Sequence, residues 1–136
     1  MSVTPWVSVE PNDNPAAILG NLPFVAGTQS FQIPTDVVPA DATGILVFLW
    51  ASLSGKNPSF GFWHASVNIG GGQSNWFSLL VAGDPAGHSV AANSQAFWLP
   101  MPVDGLVSVT FFADATFASS TNSGQIEIHG YRPVSI

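Results

Sequence analysis

The chain has 136 residues, of which 46% are hydrophobic and only 7% are charged, and its two basic and eight acidic residues give a net charge of −6. Two cations cannot form the basic surface that neutralises phosphate groups, so nucleic acids and anionic membrane surfaces are excluded as partners. The chain has no cysteine, which excludes disulfides and thiolate metal sites.

Glycine and proline, at 13 and 11 residues, interrupt the chain too often for long helices. Segments 14–22 and 35–42 are interpreted as loops or single turns. The apolar stretches between the turn signals predict short strands. These strands are Val3–Val9, Thr28–Ile33, Gly44–Leu53, Gly61–Ile69, Asn75–Val81, Ser89–Ala92, Gln95–Leu99, Leu106–Ala113 and Gln125–Arg132. The pattern predicts an all-β chain that forms one domain over residues 1–136, an antiparallel β-sandwich of the jelly-roll type with about eight strands.

The strand Gly44–Leu53 is apolar on both of its faces, whereas a strand with one wet face alternates apolar and polar residues. Its second face carries Leu46, Phe48 and Trp50, and exposing such a stripe to water is unfavourable by about 25 cal/mol per Å². Two explanations stay open in equal measure: a segment of the same chain covers the stripe, or another subunit does. A ligand groove is a third. We predict that Leu46, Phe48 and Trp50 form an interface in a homo-oligomer.

The last predicted strand alternates regularly. Gln125, Glu127, His129 and Tyr131 are expected on one face, and Ile126, Ile128 and Gly130 on the other. Glu127 has no evident carboxylate partner for acid–base chemistry, and the chain has no Gly-x-Ser-x-Gly motif. The three histidines do not follow a metal-ligand spacing. We therefore expect neither enzymatic activity nor a metal or other cofactor.

The very apolar segment GILVFLW and the closing segment GQIEIHGYRP, in an all-β chain of this length, resemble the jelly-roll modules of the C1q and tumour-necrosis-factor type and the heads of phage fibres. The resemblance covers most of the chain as architecture, and its short motifs transfer no functional residue. It implies a compact trimer with an aromatic face packed at the threefold axis.

Two aromatic segments, FGFWHASVN and GGGQSNWFS, are predicted to form a hairpin that turns at Gly70–Gly72. Aromatic rings beside amides or imidazoles recognise sugars, because the rings stack on C–H faces while the polar groups bond hydroxyls. The predicted ligand-binding residues are Trp63, His64, Gln73, Asn75 and Trp76. The alternative is that these tryptophans lie in the core or fill an interface between subunits.

These observations predict a non-catalytic, oligomeric binding or attachment module that recognises carbohydrate, either a lectin or the head of a fibre. The charge-poor composition, rich in Ser, Asn and Gly, is typical of extracellular and virion proteins, so we expect the chain outside a cell or on a virion surface. No stretch is long and apolar enough to insert in a membrane. The alternative function is a virion structural protein, either a capsid decoration or a capsid-associated component.

Overall fold

The computed structural model describes residues 5–54, 60–68, 75–82, 91–114, 117 and 121–134. These ranges contain nine strands and one short 3₁₀ helix, Pro15–Ala17. The strands are β1 (Val7–Ser8), β2 (Ile18–Asn21), β3 (Gly27–Gln32), β4 (Gly44–Leu53), β5 (Phe60–Asn68), β6 (Asn75–Ala82), β7 (Ala91–Pro100), β8 (Leu106–Ala113) and β9 (Ser123–Arg132). Within the same ranges, no helix has the length and hydrophobicity needed to cross a membrane.

The strands form two antiparallel sheets that pack face to face. The first sheet, sheet A, has the order β1-β9-β4-β7, with β2 also paired to β9, and the second, sheet B, has the order β3-β8-β5-β6. Strands far apart in sequence are thus neighbours, as β4 and β9 are, which is the connection pattern of a jelly roll. The predicted antiparallel sandwich is confirmed.

The core lies between the two sheets, and strands such as β4, β5 and β8 contribute every second residue to it, whereas β7 contributes only Leu99. On β4 the core residues are Ile45, Val47, Leu49, Ala51 and Leu53. The largest fully buried side chains are Trp63, Phe77, Phe111, Ile45, Leu49, Leu53, Ile126, Ile128, Val38, Val47 and Val67. Burial of this much apolar surface, at about 25 cal/mol per Å², is the main stabilising contribution to the sandwich.

The second face of β4 is covered in part by neighbouring side chains. The Phe48 ring stacks on His129 with centroids 4.3 Å apart, and the Trp50 indole bonds a carboxylate of β9. Leu46 lies opposite Trp98 and Gly130, where Trp6 of the N-terminal segment packs. Leu46, Phe48 and Trp50 are nevertheless only partly buried. Cover by the same chain is therefore partial, and the predicted subunit interface at these residues stays a prediction.

Three local features differ from the sequence predictions. The strands predicted as Ser89–Ala92 and Gln95–Leu99 are not separate, because β7 runs without a break from Ala91 to Pro100. Segment 14–22 contains the 3₁₀ helix and also β2, a short strand that pairs with β9 and was not predicted. In β9 the register shifts between Leu46 and Val47 of its partner strand, so His129 is an extra residue in a β-bulge. Beyond the bulge the faces exchange. Tyr131 pairs with the inward-facing Ile45, and Gly130 faces outward opposite Leu46, so the predicted alternation is wrong for these two residues.

Candidate ligand-binding groove

The two tryptophans of the predicted ligand site lie on opposite faces of sheet B. Trp63 is fully buried, and its Nε1 donates a hydrogen bond to the backbone oxygen of Pro23 at 3.0 Å. Trp76 is 52% exposed on the outer face. Because side chains alternate along a strand, a ligand on the outer face contacts Trp76 and cannot reach Trp63. The placement of Trp63 at the ligand is therefore corrected: it is a core residue.

The outer face of sheet B carries an exposed group of apolar and aromatic side chains that we call the aromatic patch: Phe62, His64, Trp76, Leu80 and Phe112. His64 stacks on Phe62 with ring centroids 4.4 Å apart, and Trp76 lies 5.7 Å from Phe112. His64 Nδ1 is hydrogen-bonded to the Ser78 hydroxyl at 2.7 Å. The structure thus brings together His64 and Trp76 of the predicted set, on a surface that is mainly apolar.

Asn75, another of the predicted ligand residues, does not join this patch. Asn75 lies opposite Val67 at the end of the hairpin and donates its side-chain amide to the Val67 backbone oxygen at 3.3 Å. Gln73 and the predicted turn at Gly70–Gly72 lie outside the described residues. The hairpin pairing of β5 with β6 is confirmed.

A second arrangement lies on the outer face of sheet A and runs across its strands. Asn21 on β2 is opposite Gln125 on β9, Gln125 is opposite Trp50 on β4, and Trp50 is opposite Ser94 on β7. We call Asn21, Gln125, Trp50 and Ser94 the Trp50 row. Adjacent strands are about 4.8 Å apart, so the row spans roughly 14 Å. It presents two amides, an indole and a hydroxyl on one surface.

The Trp50 row is bordered by two open depressions that share the indole. One has a volume of about 290 Å³ and is lined by residues that include Asn21, Phe24, Asn122 and Gln125. The other, of about 430 Å³, lies on the β7 side, next to Ala92, Asn93 and Ser94. Trp50 therefore stands between two concave surfaces, and polar side chains line both of them.

The orientation of the Trp50 indole is fixed by a hydrogen bond at its N–H edge. Its Nε1 donates to Glu127 Oε2 at 2.9 Å, and the other carboxylate oxygen, Oε1, contacts His129 Nε2 at 2.8 Å. The Glu127 side chain is only 11% exposed, and the His129 ring is held in turn by stacking on Phe48. A hydrogen bond to a buried carboxylate is stronger than one between neutral groups. The indole is thus preorganised.

This arrangement is suited to binding. A preorganised indole offers a flat apolar surface, and amides beside it both donate and accept hydrogen bonds. Within the described ranges, no group of three or more His, Asp or Glu side chains is placed to hold a metal ion. The amides of Asn21 and Gln125 were not among the predicted ligand residues. Only the alternation of the last strand, which places Gln125 on the outer face, pointed towards one of them.

No protein-family model matches the chain, and the comparison with curated proteins finds no match. The evidence for function therefore lies in the outer faces of sheets A and B.

Proposed function

We propose that this chain is a non-catalytic, homo-oligomeric binding or attachment module that recognises carbohydrate, and that it acts outside a cell or on a virion surface. The observation that carries the proposal is the Trp50 row, in which a preorganised indole lies between amides and a hydroxyl and borders two depressions. A concave site with an aromatic surface and a few convergent polar groups is the usual form of a small-ligand site.

The row fits a saccharide better than the aromatic patch does. Sugar hydroxyls need hydrogen-bonding groups beside the ring on which the sugar stacks, and the row places an amide in register next to Trp50. Beside Trp76 the patch places Phe112 and His64, with ring centroids 5.7 Å and 6.3 Å away. The Ser66 hydroxyl opposite Trp76 is buried, and His64 is already hydrogen-bonded to Ser78, so less hydrogen-bonding capacity is open to a sugar there. We therefore assign the ligand to sheet A and revise the sequence prediction, which placed it on the β5–β6 hairpin.

The proposal is tested by screening the purified chain on an array of glycans and measuring the best one by titration calorimetry. Trp50→Ala is expected to weaken binding at least tenfold, because it removes the stacking surface. Trp76→Ala is the matched control, since it removes an exposed indole from the opposite sheet, and it should leave affinity within twofold. Binding that is lost in Trp76→Ala and kept in Trp50→Ala would restore the hairpin site, and a blank array would reject carbohydrate recognition.

A virion structural protein is the second candidate, and the aromatic patch favours it. Trp76, Leu80 and Phe112 form an exposed apolar surface of the kind that usually contacts another protein. None of the five patch residues is a carboxylate, and the exposed Asp114 at the border of the patch accepts a hydrogen bond from the Phe62 backbone N–H. A particle component would assemble through this surface and would bind no glycan, which the array and a sedimentation measurement distinguish.

The homo-oligomer is part of both candidates. Leu46 and Phe48, which are partly buried on the outer face of sheet A, remain the predicted subunit interface. Trp50, at the end of the same stripe, is reassigned to ligand binding. The resemblance to C1q and tumour-necrosis-factor modules and to phage fibre heads favours a trimer and remains a prediction. Analytical ultracentrifugation of the native chain and of Phe48→Ser measures the oligomeric state. A trimer that dissociates on this substitution supports the predicted interface, and a monomeric native chain contradicts the homo-oligomer.

A further inference from the structure

The electrostatic surroundings of the Trp50 row are those of an acceptor-rich, acidic site. The buried Glu127 carboxylate lies directly against the indole. Arg132, the one Lys or Arg side chain in the described part of the chain, holds its guanidinium 4.3 Å from the ring centroid of Trp98. Trp98 lies opposite Leu46, four residues before Trp50 on β4, a separation of roughly 13 Å along the strand. The His129 imidazole contacts the Glu127 carboxylate itself. Among the described residues, no Lys or Arg side chain therefore lies beside the Trp50 indole.

We propose that the Trp50 row selects uncharged saccharides over acidic ones, and that Glu127 is a specificity-determining residue of this site. The inference rests on the proposed carbohydrate function and adds the chemical class of the ligand. Sites that bind carboxylates, sulfates or phosphates use Arg or Lys as donors, whereas the row supplies amides and a hydroxyl. These groups bond sugar hydroxyls, and each of them both donates and accepts.

Glu127 acts in two ways that a substitution separates. Its carboxylate oxygen accepts the indole hydrogen bond and so orients Trp50, and its charge repels an anion bound above the indole. Glu127→Gln retains an oxygen that accepts from Trp50 Nε1 and removes the charge. The measured quantity is the ratio of the affinities for an acidic glycan and its neutral counterpart in the same variant, because a change in the orientation of the ring affects both members of the pair. This ratio should rise between about two- and tenfold in Glu127→Gln, as expected for the removal of one unit charge roughly 7 Å from the ligand.

The experiment compares neutral array glycans with counterparts that carry the same core plus a terminal sialic acid or sulfate, by titration at pH 8, where histidine side chains are ordinarily uncharged. The native chain should prefer the neutral member of each pair, and the preference should shrink between about 0.05 M and 0.5 M salt because added ions screen the repulsion. This salt series uses the native protein, so it decides the question even if Glu127→Gln fails to fold.

The outcomes separate the two proposals. Preference for neutral glycans that weakens with salt and falls in Glu127→Gln supports the inference. Equal or tighter binding of the acidic members, or a preference that neither salt nor Glu127→Gln alters, overturns it and leaves carbohydrate recognition standing. Absence of binding to every neutral and acidic glycan overturns both.

Discussion

Trp63 and Trp76 belong to one hairpin, yet the same substitution at the two positions is expected to have very different consequences. Trp63 is fully buried, packs against three phenylalanine rings and donates to the backbone oxygen of Pro23. Trp76 is 52% exposed. Replacing either with Phe keeps an aromatic ring and removes the indole N–H and part of the ring volume, so the pair of variants isolates the effect of the environment.

The expected magnitude follows from the contacts. Trp63→Phe leaves the Pro23 oxygen without its donor, at about 1–3 kcal/mol, and the lost ring volume adds about 1 kcal/mol. The free energy of unfolding should therefore fall by about 2–4 kcal/mol. Trp76→Phe changes a surface position, where substitutions usually stay within about 0.5 kcal/mol. Domains are stable by about 5–15 kcal/mol, so the Trp63 variant should still fold at low denaturant.

Urea unfolding followed by circular dichroism measures the difference. With a denaturant dependence of about 2 kcal/mol per M, the Trp63 variant should lose about 1–2 M in its midpoint, and the Trp76 variant should lose much less. Equal shifts in the two midpoints, or a larger shift for Trp76→Phe, would refute the assignment of Trp63 to the core and of Trp76 to the surface.

Three further substitutions test the packing. Gly124→Ala should lower the free energy of unfolding by about 1–3 kcal/mol, because the added methyl group would lie 2.8 Å from the backbone oxygen of Trp50. Thermal unfolding measures this loss of stability, and an unchanged melting temperature would contradict the prediction. Gly130→Ala should displace the indole of Trp6, whose nearest ring atoms lie 2.7 Å from the position of the added carbon, and faster amide hydrogen exchange in β1 would report it. Leu80→Ser should leave the free energy of unfolding within about 0.5 kcal/mol and reduce any self-association in sedimentation, whereas a large loss of stability would show that Leu80 is not on the surface.

The sequence predicted most of the long strands well because their signals are local. Strand β7, which was predicted as two strands, is an exception because the polar residues Asn93 and Ser94 interrupt its apolar run. The bounds of Gly44–Leu53 and Leu106–Ala113 are those of β4 and β8, since apolar runs between turn residues identify strands without reference to their partners. The short edge strand β2 has no such signal. It forms through its pairing with β9, which lies more than 100 residues further along the chain.

The candidate site was harder to predict because it depends on pairing between distant strands. The Trp50 row requires the registers of β2, β9, β4 and β7 together, and no local pattern gives these registers. The two tryptophans of the β5–β6 hairpin illustrate the same limit. Alternation shows that side chains on one strand take opposite faces, and it does not say which face of each strand meets the other sheet. In the folded protein, Trp63 faces the core between the sheets and Trp76 faces solvent.

The pairing of the first strand with the last has a practical consequence for handling the protein. Val7 lies opposite Tyr131 in an antiparallel pair, so the start of the first strand and the end of the last strand lie at the same end of sheet A. That end is also where Gly44 pairs with Arg132, roughly 20 Å along β4 from Trp50. A surface-coupling group attached beside Val7 or Arg132 would thus be joined at the end of the sheet away from Trp50, and immobilised protein would keep the Trp50 row accessible to a glycan in solution.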